Sequence, residues 1–235
     1  MKPAVSIREP QRGADTPAPG RGTEAGARRL REVRERLIQN SDIRPEFQYE
    51  LVSMFVRNEL GAIATIQLLA VIFSLAAMFW APVGEAIAWL LLVIFAKVVL
   101  LELCRRFLAT PRTEINIEMW TRRLVFAELI GGLVWAGFAL VGYGTKDPAS
   151  HVFIFASLIV VLAIRMTFAS TVMPILYAGT IPMTIAVVAR LTVLGHPFYW
   201  AMASMAVGVH VYFIFLAKGL NSTALAMLEF RAEKD

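Results

Sequence analysis

Residues 86–106 read AIAWLLLVIFAKVVLLELCRR. The run from 86 to 104 is almost wholly apolar, and it closes on Arg105-Arg106. A helix needs about 20 such residues to cross a hydrocarbon core of roughly 30 Å. The stretch therefore predicts a transmembrane helix, with Trp89 toward one boundary and the paired arginines at the other. Working outward, five similar segments appear at 60–80, 122–143, 151–169, 173–194 and 198–218. Turn residues separate most of them: Ala81-Pro82-Val83-Gly84, Gly144-Thr145-Lys146-Asp147-Pro148 and Gly195-His196-Pro197. The break at Ser170–Pro174 is the weakest. There Pro174 starts a fifth helix or kinks one long hairpin, and Pro182 is expected to bend it again.

Composition agrees. The 235 residues are 57% hydrophobic and 17% charged, with mean hydropathy +0.62; a soluble domain carries roughly a quarter charged residues. The first 58 residues hold 11 of the 23 Lys and Arg. A net charge of +5 raises nucleic acid as a partner, but no basic stripe lies in a soluble fold, so none is expected. The excess fits membrane topology better. Arg105, Arg106, Arg112, Arg122 and Arg123 flank the loop between spans two and three, and Lys218, Arg231 and Lys234 follow span six. The other side offers only Lys146 and, near a helix end, Arg190. Both termini are thus expected in the cytoplasm. Trp80, Trp89, Tyr143, Tyr199 and Trp200 fall near the outer boundary, where amphipathic rings prefer to sit.

The expected class is an all-α integral membrane protein, a six-helix bundle in the lipid bilayer. Residues 1–27, rich in Pro, Gly, Ala and charge, predict a disordered cytoplasmic tail. Residues 28–58 predict a basic helix (28–40) and an amphipathic one. Asp42 and Pro45 mark the second start, and Phe47, Leu51, Met54 and Phe55 share a face. That face lies on the membrane surface or packs on a cytoplasmic partner domain. Residues 59–218 form the transmembrane domain, and 219–235 begin a cytoplasmic helix. On it Leu220, Ala224, Met227 and Leu228 line a short seam of the coiled-coil kind. The helix stops without a cap, which leads us to expect further sequence downstream. The first residues lack the apolar core of a secretory signal.

No Walker loop, nucleotide-binding glycine box, HExxH, GxSxG or paired-cysteine metal site is present, so no catalytic, cofactor or metal residues are assigned. With one cysteine, Cys104, no internal disulfide can form. Ionisable groups within spans are costly and mark candidate sites. Lys97 lies about 11 Å of helix rise inward from Arg105, and Glu128 sits at similar depth in the next span. Arg165 and His210 enter the same inner half from spans four and six. A Lys97–Glu128 or Glu128–Arg165 pair would relieve the burial penalty. Such a cluster is structural pairing, a group that responds to a ligand or proton, or a set of side chains that snorkel without partners. His151 and His196 lie near the outer surface, and no two histidines have the spacing of a ligand pair. Gly131-Gly132 and Ala136-Gly137 in span three, with Ala203, Ala206 and Gly208 in span six, permit close helix approach or a dimer contact.

LEFRAEKD (228–235), following a sixth span that ends FLAKGL, resembles the junction between membrane module and kinase core in alphaproteobacterial sensor histidine kinases, related to the PleC/DivJ/PdhS type. REVRERL (31–37), RPEFQYEL (44–51), LCRRFL (103–108) and Asp147-Pro148-Ala149 are similar too, so the resemblance covers residues 30–235. It implies a bacterial inner-membrane sensor, a homodimer, and a kinase core that uses ATP and Mg and passes phosphate to a response regulator. None of that core is in this chain. The expected function is therefore a membrane-embedded input domain acting through span six. The alternatives are a small six-helix transporter or channel, or the input module of a diguanylate cyclase. Transport would want discontinuous helices in both halves, and spans one to three show no irregularity to match the prolines of span five.

Overall fold

The computed structural model describes residues 45–145, 147–232 and 234; the tail and the basic helix expected over 1–40 lie outside them. The described residues form seven α-helices and no strand: α1 Pro45–Gly61, α2 Ile63–Ala77, α3 Val83–Ala109, α4 Ile117–Ala136, α5 Pro148–Ala169, α6 Met173–Val193 and α7 Pro197–Ala232. Short 3-10 turns, Arg112–Glu114 and Gly137–Leu140, lead into α4 and extend it. Five helices are long and apolar enough to cross a membrane, and the count reaches six if the bent pair α1–α2 is one span.

Helix starts follow local chemistry. Asn116 caps α4 by accepting from the Met119 N–H at 3.1 Å. Asp147 caps α5 by accepting from the N–H groups of Ala149 and Ser150, both at 3.2 Å, with Pro148 in the first turn where no donor is needed. The weakest expected break is real: α5 ends at Ala169 and α6 begins at Met173.

One expectation for the helices needs revision: the first expected span is not one straight helix. α1 and α2 meet at Ala62 with a bend of 54°. The 15 residues of α2 rise only about 22 Å, short of a full crossing. α6 runs through Pro182 as one helix, as the expected span 173–194 does. Pro182 has no N–H for the Ala178 carbonyl four residues back. Gly132 of α4 lies against that spot: a Cβ added there would sit 2.8 Å from the Ala178 oxygen and 2.7 Å from that of Gly179. A glycine Cα thus covers the freed carbonyl, and α4 and α6 form the most extensive helix contact in the bundle.

Toward the end that holds the α2–α3 and α4–α5 turns, the core is aromatic. Phe138 packs on Trp89 (4.6 Å between ring centres) and on Phe73 (5.6 Å). Trp89 is buried and donates to the Val134 carbonyl at 3.0 Å, so it is a core residue rather than a boundary anchor. Tyr143 and Trp200 are exposed, as a boundary residue would be. Arg190 closes this end. Its guanidinium donates to the carbonyls of Ala139, Val141 and Gly142, within and just after the 3-10 turn. The Glu85 carboxylate accepts from the Gly142 N–H at 2.9 Å.

α7 is one helix of 36 residues. Among its residues Met202, Ala203, Ala206, His210 and Ala217 are buried, while Leu220, Met227 and Phe230 are exposed.

Candidate functional site

α1 contributes to the bundle itself. Leu51, Val52, Phe55, Val56 and Glu59 are buried along one stripe, whereas Met54, expected on that face, points outward. The helix packs on α3, α4, α5 and α7. Glu50 meets Arg112 at 3.4 Å in the turn after α3, and Asn58 reaches the Phe168 carbonyl near the end of α5 at 3.5 Å. The stripe carries Glu59 inward, and there it accepts from the Lys97 ammonium of α3.

Beside this pair lies a second. The Arg165 guanidinium of α5 donates to the Glu128 carboxylate of α4. Glu128 is 1% exposed, Lys97 6% and Arg165 8%. Of the two pairings the sequence allows for Glu128, the structure selects Arg165; Lys97 takes Glu59 instead. Glu59 was not singled out from sequence, although Leu51, Phe55 and Glu59 share the i, i+4, i+8 spacing of one helix face. An acid that continues an apolar stripe was the available signal.

The second pair rests on α6. A Cβ at Gly179 would lie 2.7 Å from an Arg165 nitrogen and 2.8 Å from a Glu128 oxygen, so a side chain there would push the ends of the two charged groups aside. Gly131 faces the same arginine with ordinary clearance, 3.5 Å. The two pairs border a cavity of about 20 Å³, lined by Lys97, Glu128 and Arg165 together with Ala96, Gly131 and Trp135 among others. Two acids and two bases sum to zero charge, which is how such groups are tolerated in an apolar interior. The arrangement has two discrete cation–carboxylate contacts at one depth, one tying α1 to α3 and the other α4 to α5.

His210 has a different partner. Its Nδ1 shares a hydrogen bond of 2.6 Å with the Thr184 hydroxyl of α6, and that hydroxyl also reaches the Thr180 carbonyl at 3.4 Å. Thr184 was missed because a threonine that bonds its own helix backbone leaves no burial penalty to flag it. His151, expected near the outer surface, is buried edge-on against Tyr199 at 5.3 Å; His196 is exposed and its ring accepts from the Phe198 N–H at 3.2 Å. Cys104 is fully buried in α3. Among the described residues no group of three or more His, Cys, Asp or Glu is placed to hold a metal ion. No family model, no curated protein and no solved structure matches this chain.

Proposed function

We propose that this chain is the membrane-embedded input module of a bacterial signalling protein, with α7 as its output element. The observation that carries the reading is α7 itself. At 1.5 Å per residue its 36 residues extend about 54 Å, well beyond a hydrocarbon core of ~30 Å. An unbroken helix conveys rotation or translation from inside a bundle to whatever it joins. Asn221 donates to the Thr171 carbonyl at 2.7 Å, holding α7 to the α5–α6 turn where it leaves its neighbours. A change in packing at that turn therefore has a direct grip on the helix.

The same reading takes α1 and α2 as one bent crossing. Glu50 of α1 lies by Arg112 after the end of α3, while α2 leads through a short turn into the start of α3. The chain thus traverses the bundle between those two points, giving six crossings with both ends on the arginine-rich, cytoplasmic side. In the resembled sensor histidine kinases the consequence is a homodimer, a phosphorylated histidine domain, and a response regulator as partner. A diguanylate cyclase core would use the same input.

A direct test joins a histidine-kinase core to Asp235 with zero to four inserted residues and measures autophosphorylation in membranes. Output that rises and falls with the helical period is the expected result, since each insertion rotates the core by about 100°. Equal output at every phase would sink the reading.

A second reading, transport, gains one observation: the 54° break between α1 and α2 falls beside the buried Glu59–Lys97 pair. Broken helices next to charged groups are features of ion-coupled carriers. Ion or proton flux by the purified chain in liposomes would favour that reading over signalling.

A further inference from the structure

We propose that the cavity bordered by Lys97, Glu128 and Arg165 is a binding site for a single water molecule, which joins the two ion pairs into one hydrogen-bonded network. Three observations converge there. The cavity measures about 20 Å³, and a cavity needs roughly 10–15 Å³ on the same measure to admit one water. The residues that line it supply charge from α3, α4 and α5. Two atoms on those residues, Glu128 Oε1 and Arg165 Nε, are buried and have no hydrogen-bond partner among the described residues.

The chemistry of the two atoms selects the guest. One is an acceptor and the other a donor, so the occupant must both donate and accept. Water does so. A sodium ion satisfies only the carboxylate and sits against two cations; a chloride satisfies only the guanidinium and sits against a carboxylate. The volume leaves no room for a metabolite. Buried polar groups without protein partners are ordinarily served by ordered water, and each such water makes about three hydrogen bonds. Glu128, Arg165 and the Lys97 ammonium supply three. The proposal stands whether the chain signals or transports. Its consequence is that Lys97 on α3 and Glu128 on α4, each paired elsewhere, are linked through one exchangeable molecule.

Gly131→Ala tests this by the sign of its effect. The added methyl meets Arg165 at 3.5 Å, an ordinary contact, and points to a residue lining the cavity. In the middle of a helix alanine is favoured over glycine. If the cavity has no water to lose, G131A raises the thermal midpoint of the purified protein. If a water is displaced, Glu128 is left short of a hydrogen bond and the midpoint falls. The expected result is a lower midpoint with the native charges and a higher one in the background E128L/R165M, where the two atoms that lack protein partners are gone and Lys97 keeps Glu59. A change of the same sign in both backgrounds overturns the proposal. So does a wild-type midpoint that drops when chloride is exchanged for gluconate, because the occupant is then an ion.

Should the double variant fail to fold, radiolytic hydroxyl labelling decides. Trp135 lines the cavity and is only 5% exposed. It is expected to be oxidised in the wild-type protein by radicals formed at the bound water, and several-fold less in G131A. Labelling of Trp135 at background level in the wild type overturns the proposal.

Discussion

Glu128 and Arg165 are each tolerable in the bundle only because of the other. Removing one partner of a buried pair leaves a charge in a medium that cannot solvate it, at a cost of about 3–5 kcal/mol. Arg165→Met is therefore expected to lower the thermal midpoint sharply and to reduce the folded fraction in membranes. Glu128→Leu should do the same. The double variant E128L/R165M should recover most of the loss, because an apolar pair of similar volume needs no partner. Stability of all three variants equal to the parent would mean that the charges are solvated from outside. These charges were legible in the sequence because an ion within an apolar run has no bland explanation. Their pairing was not. Lys97 and Arg165 stand at comparable depth on either side of Glu128, and the choice turned on Glu59, which lies near the end of a helix that the sequence left at the membrane surface or on a cytoplasmic partner domain. His210 was legible as a deep polar residue, but its partner Thr184 was not, since a hydroxyl that can bond its own backbone carries no signal.

At the scale of helices, the crossing of α4 and α6 is the tightest constraint. Gly132 lies against backbone oxygens, and backbone cannot swing aside as a side chain does. Gly132→Ala is expected to cost about 1–3 kcal/mol, the range for overpacking a filled interior. Gly208→Ala on α7 is the matched control. A Cβ there meets nothing within 4 Å, so the change should be neutral or slightly stabilising. Thermal midpoints of the two variants in one detergent would settle the comparison, and equal effects would argue against a glycine-specific contact. The last five helix spans were legible because apolar runs of this length have few other readings. The span through Pro182 was among them, but the packing of Gly132 against its freed carbonyl was not, since that contact joins residues about fifty apart in two helices. The break at Ala62 was hidden for the opposite reason: no proline marks it, and the single glycine beside it, Gly61, is a weak signal at the edge of an apolar run.

For the molecule as a whole, the open quantity is the number of crossings, and one contact predicts it. Glu50 on α1 meets Arg112, and an exposed ion pair of this kind contributes little to stability, so either residue tolerates replacement. Cys104, the sole cysteine, is 0% exposed and leaves a silent background for thiol labelling. Single cysteines at Glu50, at the exposed Thr113 in the α3–α4 turn, and at the exposed Gly144 in the α4–α5 turn sample three points. In intact bacterial cells a membrane-impermeant maleimide should label G144C alone, with E50C and T113C reacting only after the membrane is opened. That pattern requires α1 and α2 to make one crossing, because α1 then starts on the side where α3 ends. Six crossings follow, and α7 emerges on the same side as α1, where the arginines are concentrated. If E50C reacts together with G144C instead, the α1–α2 pair enters and leaves on one face, the count falls to five, and Glu50 cannot lie beside Arg112. Either outcome delivers α7 to the cytoplasm, where a signalling core could receive it, because labelling at G144C by itself fixes the course of α5, α6 and α7. What the count decides is the side on which α1 starts, and hence whether the Glu59–Lys97 contact ties a full crossing or a re-entrant pair to α3.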